Sequence, residues 1–167
     1  TDEGYYRTGD YAAFDADGYL QLNGRKSDII KTSTGRRLSP VALEGLLQSV
    51  AWVDRAIVVG AGRKCLAAIL VLVPAAYEAV AGFIAQGKDR VAGDPAESAE
   101  VRELIAAASA MAEHERPAGY LLTKRPLSVE SGDLTPNLKI RRTVVENRYQ
   151  TDLDALYDAI EHRPGVS

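Results

Sequence analysis

Apolar and polar residues are grouped along this 167-residue chain in a pattern that predicts a small α+β domain. Residues 52–60 and 66–73 carry nearly continuous apolar runs, which are typical of strands covered on both faces. Between 40 and 49 the leucines recur at helical spacing, behind a serine at the N-cap position and a proline at the first helical position. The centre of the chain therefore predicts a helix followed by two strands.

The two ends of the chain complete this prediction. Residues 5–24 predict a β-hairpin, because two short apolar stretches flank a turn sequence that ends in glycine, and the β-branched residues at 29–32 predict a strand. Beyond the central strands, the spacing predicts helices over 75–86, 96–114, 141–149 and 152–161, and a strand over 120–124. The predicted fold is α+β: a small mixed or antiparallel sheet flanked by helices and preceded by a short β-hairpin.

Charge and composition exclude some classes of function. The formal net charge of −3 and the pI of about 5.4 argue against a general nucleic-acid binder. The longest apolar run is too short to cross a bilayer, so no transmembrane segment is predicted, and peripheral contact with a membrane stays open. Cys65 is the only cysteine, which predicts a buried structural thiol and fits a reducing cytoplasm. The two histidines lack metal-ligand spacing, so no metal site is predicted.

Two polar clusters near the start of the chain carry candidate nucleotide chemistry. Asp10 ends the string Tyr-Arg-Thr-Gly-Asp, and a carboxylate can accept hydrogen bonds from both adjacent hydroxyls of a ribose. Arg25 opens the string Arg-Lys-Ser-Asp-Ile-Ile-Lys, and a guanidinium can bind phosphate oxygens in a bidentate manner. The alternative for both residues is an ordinary polar position at a turn.

A basic, glycine-containing loop follows at 31–38. Gly35 lets a ligand approach the backbone, and Arg36 and Arg37 are candidates to hold the phosphates of a nucleotide such as CoA. A solvated basic turn is an equally good interpretation of the two arginines taken singly. Glu44, just beyond the loop, is expected to anchor it structurally.

Lys139 is the leading candidate for catalysis, within Leu-Thr-Pro-Asn-Leu-Lys-Ile-Arg-Arg. The alternative is that residues 139–142 form the charged first turn of the last helices. Cations are unfavourable at a helix N-terminus, which weakens that alternative.

These three strings, in this order, resemble the C-terminal part of the adenylate-forming superfamily of acyl-CoA synthetases, luciferases and peptide-synthetase adenylation domains. The resemblance implies that Asp10 holds the ribose of ATP, that Arg25 binds its phosphates, and that Lys139 bridges the substrate carboxylate and the α-phosphate. It places the hinge of a rotating domain at Ser27 and Asp28, where the superfamily usually has Asp or Lys at the first position. Lys31, Gly35, Arg36 and Arg37 correspond to a loop that lines the pantetheine tunnel of CoA.

The lysine string resembles that of long-chain fatty-acid CoA ligases, which carry Leu-Thr-Pro-x-Leu-Lys. These ligases also have a helical insertion with room for two helices, which corresponds here to about 75–118. The implied reaction converts ATP, fatty acid and CoA into acyl-CoA, AMP and diphosphate through acyl-AMP. Mg²⁺ would accompany ATP, with its ligands in an N-terminal domain. Two alternatives stay open: an acyl-AMP ligase that serves an acyl carrier protein, and a stand-alone module that docks CoA or a carrier protein.

The resemblance also implies a division of the chain. Residues 1–26 are expected to be a hairpin and linker from the end of an N-terminal domain, and residues 27–167 a mobile C-terminal domain. Because the chain opens without Met and inside the motifs, we expect a fragment that is inactive alone, whose partners are its own N-terminal domain, fatty acid, ATP and CoA.

Overall fold

A hairpin forms the front of the protein, as predicted. The computed structural model describes Gly4 and residues 6–76, 90–92 and 99–162. Strand β1 (Asp10–Phe14) pairs antiparallel with β2 (Leu20–Arg25). The carboxylate of Asp15 closes the turn between them, because it accepts hydrogen bonds from the backbone N–H groups of Asp17 at 3.0 Å and Tyr19 at 2.8 Å.

A second, smaller hairpin follows after one 3₁₀ turn at Lys26–Asp28. It consists of β3 (Ile30–Lys31) and β4 (Arg37–Leu38), which pair antiparallel. The predicted strand at 29–32 is therefore shorter than expected, and its partner strand was not predicted. Helix α1 (Pro40–Gln48) begins at the predicted proline.

The main sheet has four strands and is mixed, in agreement with the predicted fold class. Strand β5 (Val53–Val59) pairs antiparallel with β6 (Leu66–Leu72), which pairs parallel with β8 (Pro117–Thr123). Strand β7 (Arg90–Ala92) adds to the free edge of β8 in the antiparallel direction, giving the order β5-β6-β8-β7.

Helices cover both faces of this sheet. Helices α1 and α2 (Ala99–Ala108) lie on one face, and α3 (Arg142–Arg148) and α4 (Gln150–Glu161) lie on the other. Alternate residues of β6 therefore enter opposite cores, and all seven of its residues are buried. This burial confirms the interpretation of the continuous apolar run.

Other boundaries differ by several residues from the prediction. The helix predicted over 96–114 ends at Ala108, because the side chain of Arg116 donates hydrogen bonds to the carbonyls of Ser109 and Met111, each at 2.9 Å, and so holds the chain in a turn after the helix. Strand β8 begins at Pro117, three residues before the predicted start. The helix predicted over 75–86 lies, beyond its first two residues, outside the described residues. Among those that are described, no helix is long and apolar enough to span a membrane.

Candidate functional site

The two candidate ATP-binding residues lie side by side on the first hairpin. Asp10 and Arg25 are directly opposite each other in the antiparallel register. The Arg25 Nε atom lies 3.2 Å from Oδ1 of Asp10, and the two side chains are 58% and 27% exposed. The pair occupies one carboxylate oxygen and leaves Oδ2 for a hydroxyl donor. The hairpin thus brings a carboxylate and a guanidinium to one exposed edge, as nucleotide binding would require.

The candidate hinge lies between the two hairpins. Ser27 and Asp28 belong to the single 3₁₀ turn, and the backbone is extended on both sides of it, at Arg25 and Ile29. A single turn between two separately paired hairpins is a place where a few backbone dihedrals can change without breaking a sheet.

The basic loop is an ordered hairpin. Lys31 and Arg37 are paired across β3 and β4, so their exposed side chains share one face, while Ile30 and Leu38 on the other face are buried. Like charges directly opposite each other are destabilising in a sheet. Such a pair at the surface is consistent with an anion that binds between them.

The tip of this hairpin is held by its own backbone and by a neighbouring turn. Gly35 has a φ of 82°, where only glycine is unstrained, and its N–H donates to the carbonyl of Thr32 at 3.0 Å. The N–H of Ser33 donates to the carbonyl of Arg63 at 2.8 Å, and the N–H of Gly62 donates to the carbonyl of Lys31 at 2.9 Å. The hairpin is therefore fixed against the turn that joins β5 to β6.

A cavity of about 670 Å³ lies between this hairpin, the end of α2 and the starts of β6 and β8. Its wall is apolar at Ile105, Ala108 and Tyr120. The acidic Glu113 lines it, and so do four basic side chains: Arg36, Lys64, His114 and Arg116. Of these, only Arg36 was predicted. The other three come from separate parts of the sequence and meet because Leu66 pairs with Pro117 in the parallel register, which no local sequence pattern reveals.

Lys139 lies in a closed loop just before α3, on the face of the main sheet opposite α1. A β-bridge joins Leu134 to Ile140, and the N–H of Thr135 donates to the carbonyl of Lys139 at 2.8 Å. The N–H of Lys139 donates to Oγ1 of Thr135 at 3.1 Å. The Lys139 side chain is exposed, and its ammonium forms no ion pair with any residue that the structure describes. The loop therefore holds the backbone and leaves the cation available.

The interpretation of residues 139–142 as a helical first turn is wrong for Lys139, because α3 begins only at Arg142. Arg142 has a structural role: its Nη1 donates to Oε1 of Glu44 and to the carbonyl of Val58, each at 2.6 Å. Glu44 also accepts from the N–H of Val58 at 2.8 Å. Glu44 was expected to anchor the basic loop, but in these bonds its carboxylate instead joins α1 to β5 and α3.

Cys65 is half-buried at the edge of the cavity, so the prediction of full burial is only partly right. Burial raises the pKa of its thiol, and the carboxylate of Glu161 raises it further, against an opposing effect of Lys64. The thiol is therefore protonated at neutral pH and a poor nucleophile. Within the described residues, no group of three or more His, Cys, Asp or Glu side chains could hold a metal ion.

Comparison with known proteins shows which family this chain belongs to. A family model described as "AMP-binding enzyme C-terminal domain" matches residues 27–161. The long-chain-fatty-acid–CoA ligase FadD15 of Mycobacterium tuberculosis is 30% identical over 165 residues, which cover 93% of this chain and 27% of the relative.

Solved structures agree in fold. The A domain of carboxylic acid reductase from Segniliparus rugosus, in complex with AMP and a co-purified carboxylic acid, matches with a TM-score of 0.75 and 27% identity, over 96% of this chain and 24% of that one. The A-PCP didomain of the same reductase, in complex with AMP, matches with a TM-score of 0.73 and 25% identity, over 95% of this chain and 21% of that one. The chain thus spans about a quarter of the length of its relatives.

Proposed function

The chain belongs to the family of AMP-binding enzyme C-terminal domains, and from this premise we propose that it serves as the mobile C-terminal domain of a long-chain fatty-acid–CoA ligase. The observation that carries the proposal is the exposed ammonium of Lys139, which has no ion pair within the described part of the chain and is held on a closed loop in a domain similar to a long-chain ligase. In this proposal residues 1–26 end the N-terminal domain and residues 27–167 move as the C-terminal domain.

Lys139 acts in the first half-reaction. An oxygen of the fatty-acid carboxylate attacks the α-phosphorus of ATP, the bond to the β-phosphate oxygen breaks, and diphosphate leaves. This step brings two anions together, so an ammonium placed at the reacting oxygens lowers the energy of the transition state. Asp10 binds the ribose hydroxyls through its free carboxylate oxygen, and Arg25 binds the phosphates beside it. Mg²⁺ would accompany ATP, with its ligands in the N-terminal domain.

The basic hairpin acts in the second half-reaction. The CoA thiol attacks the acyl carbonyl of acyl-AMP, loses its proton, and AMP leaves as the thioester forms. We infer that Lys31, Arg36 and Arg37 hold phosphates of CoA, with Gly35 leaving the backbone accessible, and that the neighbouring cavity accepts part of the nucleotide. Arg36, which lines the cavity, suits phosphate, and the apolar wall suits a base.

A carrier protein is the second candidate for the acyl acceptor. One similar structure is a didomain that contains both an A domain and a PCP domain. The exposed cations of the basic hairpin would suit an acidic carrier protein as well as the phosphates of CoA. Offering the full-length enzyme CoA and a phosphopantetheinylated carrier protein in parallel distinguishes the two, since only the true acceptor should give a thioester at a rate typical of enzymes, about 1 s⁻¹ or more.

The test of the proposed function is Lys139→Ala in the full-length enzyme. Losing one preorganised charge at a transition state costs about 2.7–4 kcal/mol, or roughly 10²–10³ in rate. We expect that loss in the release of diphosphate from fatty acid and ATP. Thioester formation from synthetic acyl-AMP and CoA should be largely spared, and equal loss in both assays would make Lys139 structural.

A further inference from the structure

Lys139 is anchored to the rest of the domain through a buried carboxylate. Asp133 lies six residues before Lys139, and it is 0% exposed. Its Oδ1 accepts a hydrogen bond from Nη1 of Arg148, and its Oδ2 accepts one from the hydroxyl of Ser131. A buried carboxylate needs such partners, because an unpaired one would be strongly destabilising.

The main chain at Asp133 joins the same network. The carbonyl of Asp133 accepts from the N–H of Arg141 at 2.7 Å, next to the bridge from Leu134 to Ile140 that closes the lysine loop. The second nitrogen of Arg148, Nη2, donates to the carbonyl of Ser131 at 2.9 Å. Arg148 therefore forms hydrogen bonds to both ends of the segment 131–133, and this segment leads directly into the loop.

Arg148 is well placed to fix that loop, since it ends helix α3, whose other end is held by a second ion pair. Arg142 begins the helix and binds Glu44 of α1 and the carbonyl of Val58 in β5. One short helix thus connects β5 and α1, through Arg142, to the base of the lysine loop, through Arg148.

We propose that Asp133 and Arg148 are positioning residues for Lys139: their buried ion pair sets where the lysine loop stands relative to the sheet, and hence whether the ammonium reaches the reacting phosphate. This inference rests on the proposed function of Lys139. Neither residue touches the substrate in the proposal. They act through the hydrogen-bonded base of the loop, and misplacing a catalytic group by about 1 Å can cost roughly 10²-fold in rate.

The experiment uses Asp133→Asn, Arg148→Lys and the more severe Arg148→Ala in the full-length enzyme. Asp133→Asn keeps the shape of the side chain and one acceptor but loses the negative charge. Arg148→Lys keeps the positive charge but cannot form the two hydrogen bonds that Nη1 and Nη2 of the guanidinium form. We expect kcat for acyl-AMP formation to fall at least tenfold with KM for ATP and fatty acid within about twofold. Thioester formation from supplied acyl-AMP should stay near wild type, and Arg148→Lys should recover part of what Arg148→Ala loses.

Asp154→Asn is the control for the loss of an Asp–Arg ion pair elsewhere, because it removes the more exposed pair with Arg63 at the turn between β5 and β6. It should leave kcat for acyl-AMP formation within about twofold of wild type. The positioning role is overturned if the Asp133 and Arg148 variants lower both half-reactions equally, or lower neither. Failure of Lys139→Ala to slow adenylation would instead overturn the proposed function, so the two failures are distinguishable.

Discussion

At the scale of single residues, the most informative position is Leu138. Its φ of 59° is in the left-handed region, and it is the one residue other than glycine with a positive φ among those that the structure describes. Its side chain is 70% exposed, so packing does not compensate the strain. Backbone strain of this kind collects at functional sites, and here it lies directly before the proposed catalytic lysine.

Leu138→Gly should therefore stabilise the protein. A left-handed conformation costs an L-residue about 1–2 kcal/mol, whereas the added freedom of glycine in the unfolded chain costs roughly 0.5–1 kcal/mol. The expected gain is about 0.5–1 kcal/mol in the free energy of unfolding, measured by urea denaturation. Leu138→Ala, which keeps the strain, should give no gain, and a loss on Leu138→Gly would mean that Leu138 makes a stabilising contact.

At the scale of elements, glycine has opposite roles in a helix and a strand of this fold. A Cβ on Gly119 in β8 would lie 2.9 Å from Cδ1 of both Leu156 and Ile160, so glycine lets α4 approach the sheet closely. A Cβ on Gly45 in α1 would meet nothing within 4 Å. The first glycine is required by packing, whereas the second only weakens its helix.

Two alanine substitutions should accordingly have opposite signs. Gly119→Ala should destabilise by about 1–3 kcal/mol, because overpacking forces neighbours off their rotamers. Gly45→Ala should stabilise by about 0.5–1 kcal/mol, the ordinary difference between the two residues in a helix. Thermal unfolding of both variants checks the pair, and destabilisation by Gly45→Ala would show that α1 is constrained by more than its own helix.

The elements also show what the sequence could and could not predict. Helix α1 and strands β5 and β6 were predicted almost to the residue, because apolar periodicity and a proline at the first helical position are local signals. Strands β4 and β7 were not, since two- and three-residue strands exist only through their partners. The difference between local and long-range signals also explains which site residues could be predicted. Asp10, Arg25 and Lys139 lie in recognisable strings, whereas Arg116 and Asp133 depend for their roles on contacts made in the fold.

At the scale of the whole molecule, the first hairpin packs separately from the domain behind it. Several large apolar side chains on it are exposed: Tyr6, Phe14, Tyr19, Leu20 and Leu22. Neither of the two hydrophobic cores includes a hairpin residue, since both cores are built from residues after Asp28. The segment Lys26–Asp28 therefore connects the hairpin to a body that packs independently of it. A rotation about a hinge would occur in such a connecting segment.

The proposed hinge can be tested by restricting it. Ser27 is the middle residue of the 3₁₀ turn, and proline would fix its φ at about −65°, within the range of that turn, and so oppose other conformations at Ser27. It also restricts Lys26 before it. In the full-length enzyme we expect Ser27→Pro to impair one half-reaction at least tenfold and largely spare the other, because a trapped domain can present either Lys139 or the basic hairpin, but not both in turn.

Ser27→Ala leaves the backbone free and should leave both half-reactions near wild type. Equal loss of both half-reactions in the proline variant, with the fold intact by circular dichroism, would argue against a hinge at Ser27, and so would no loss at all.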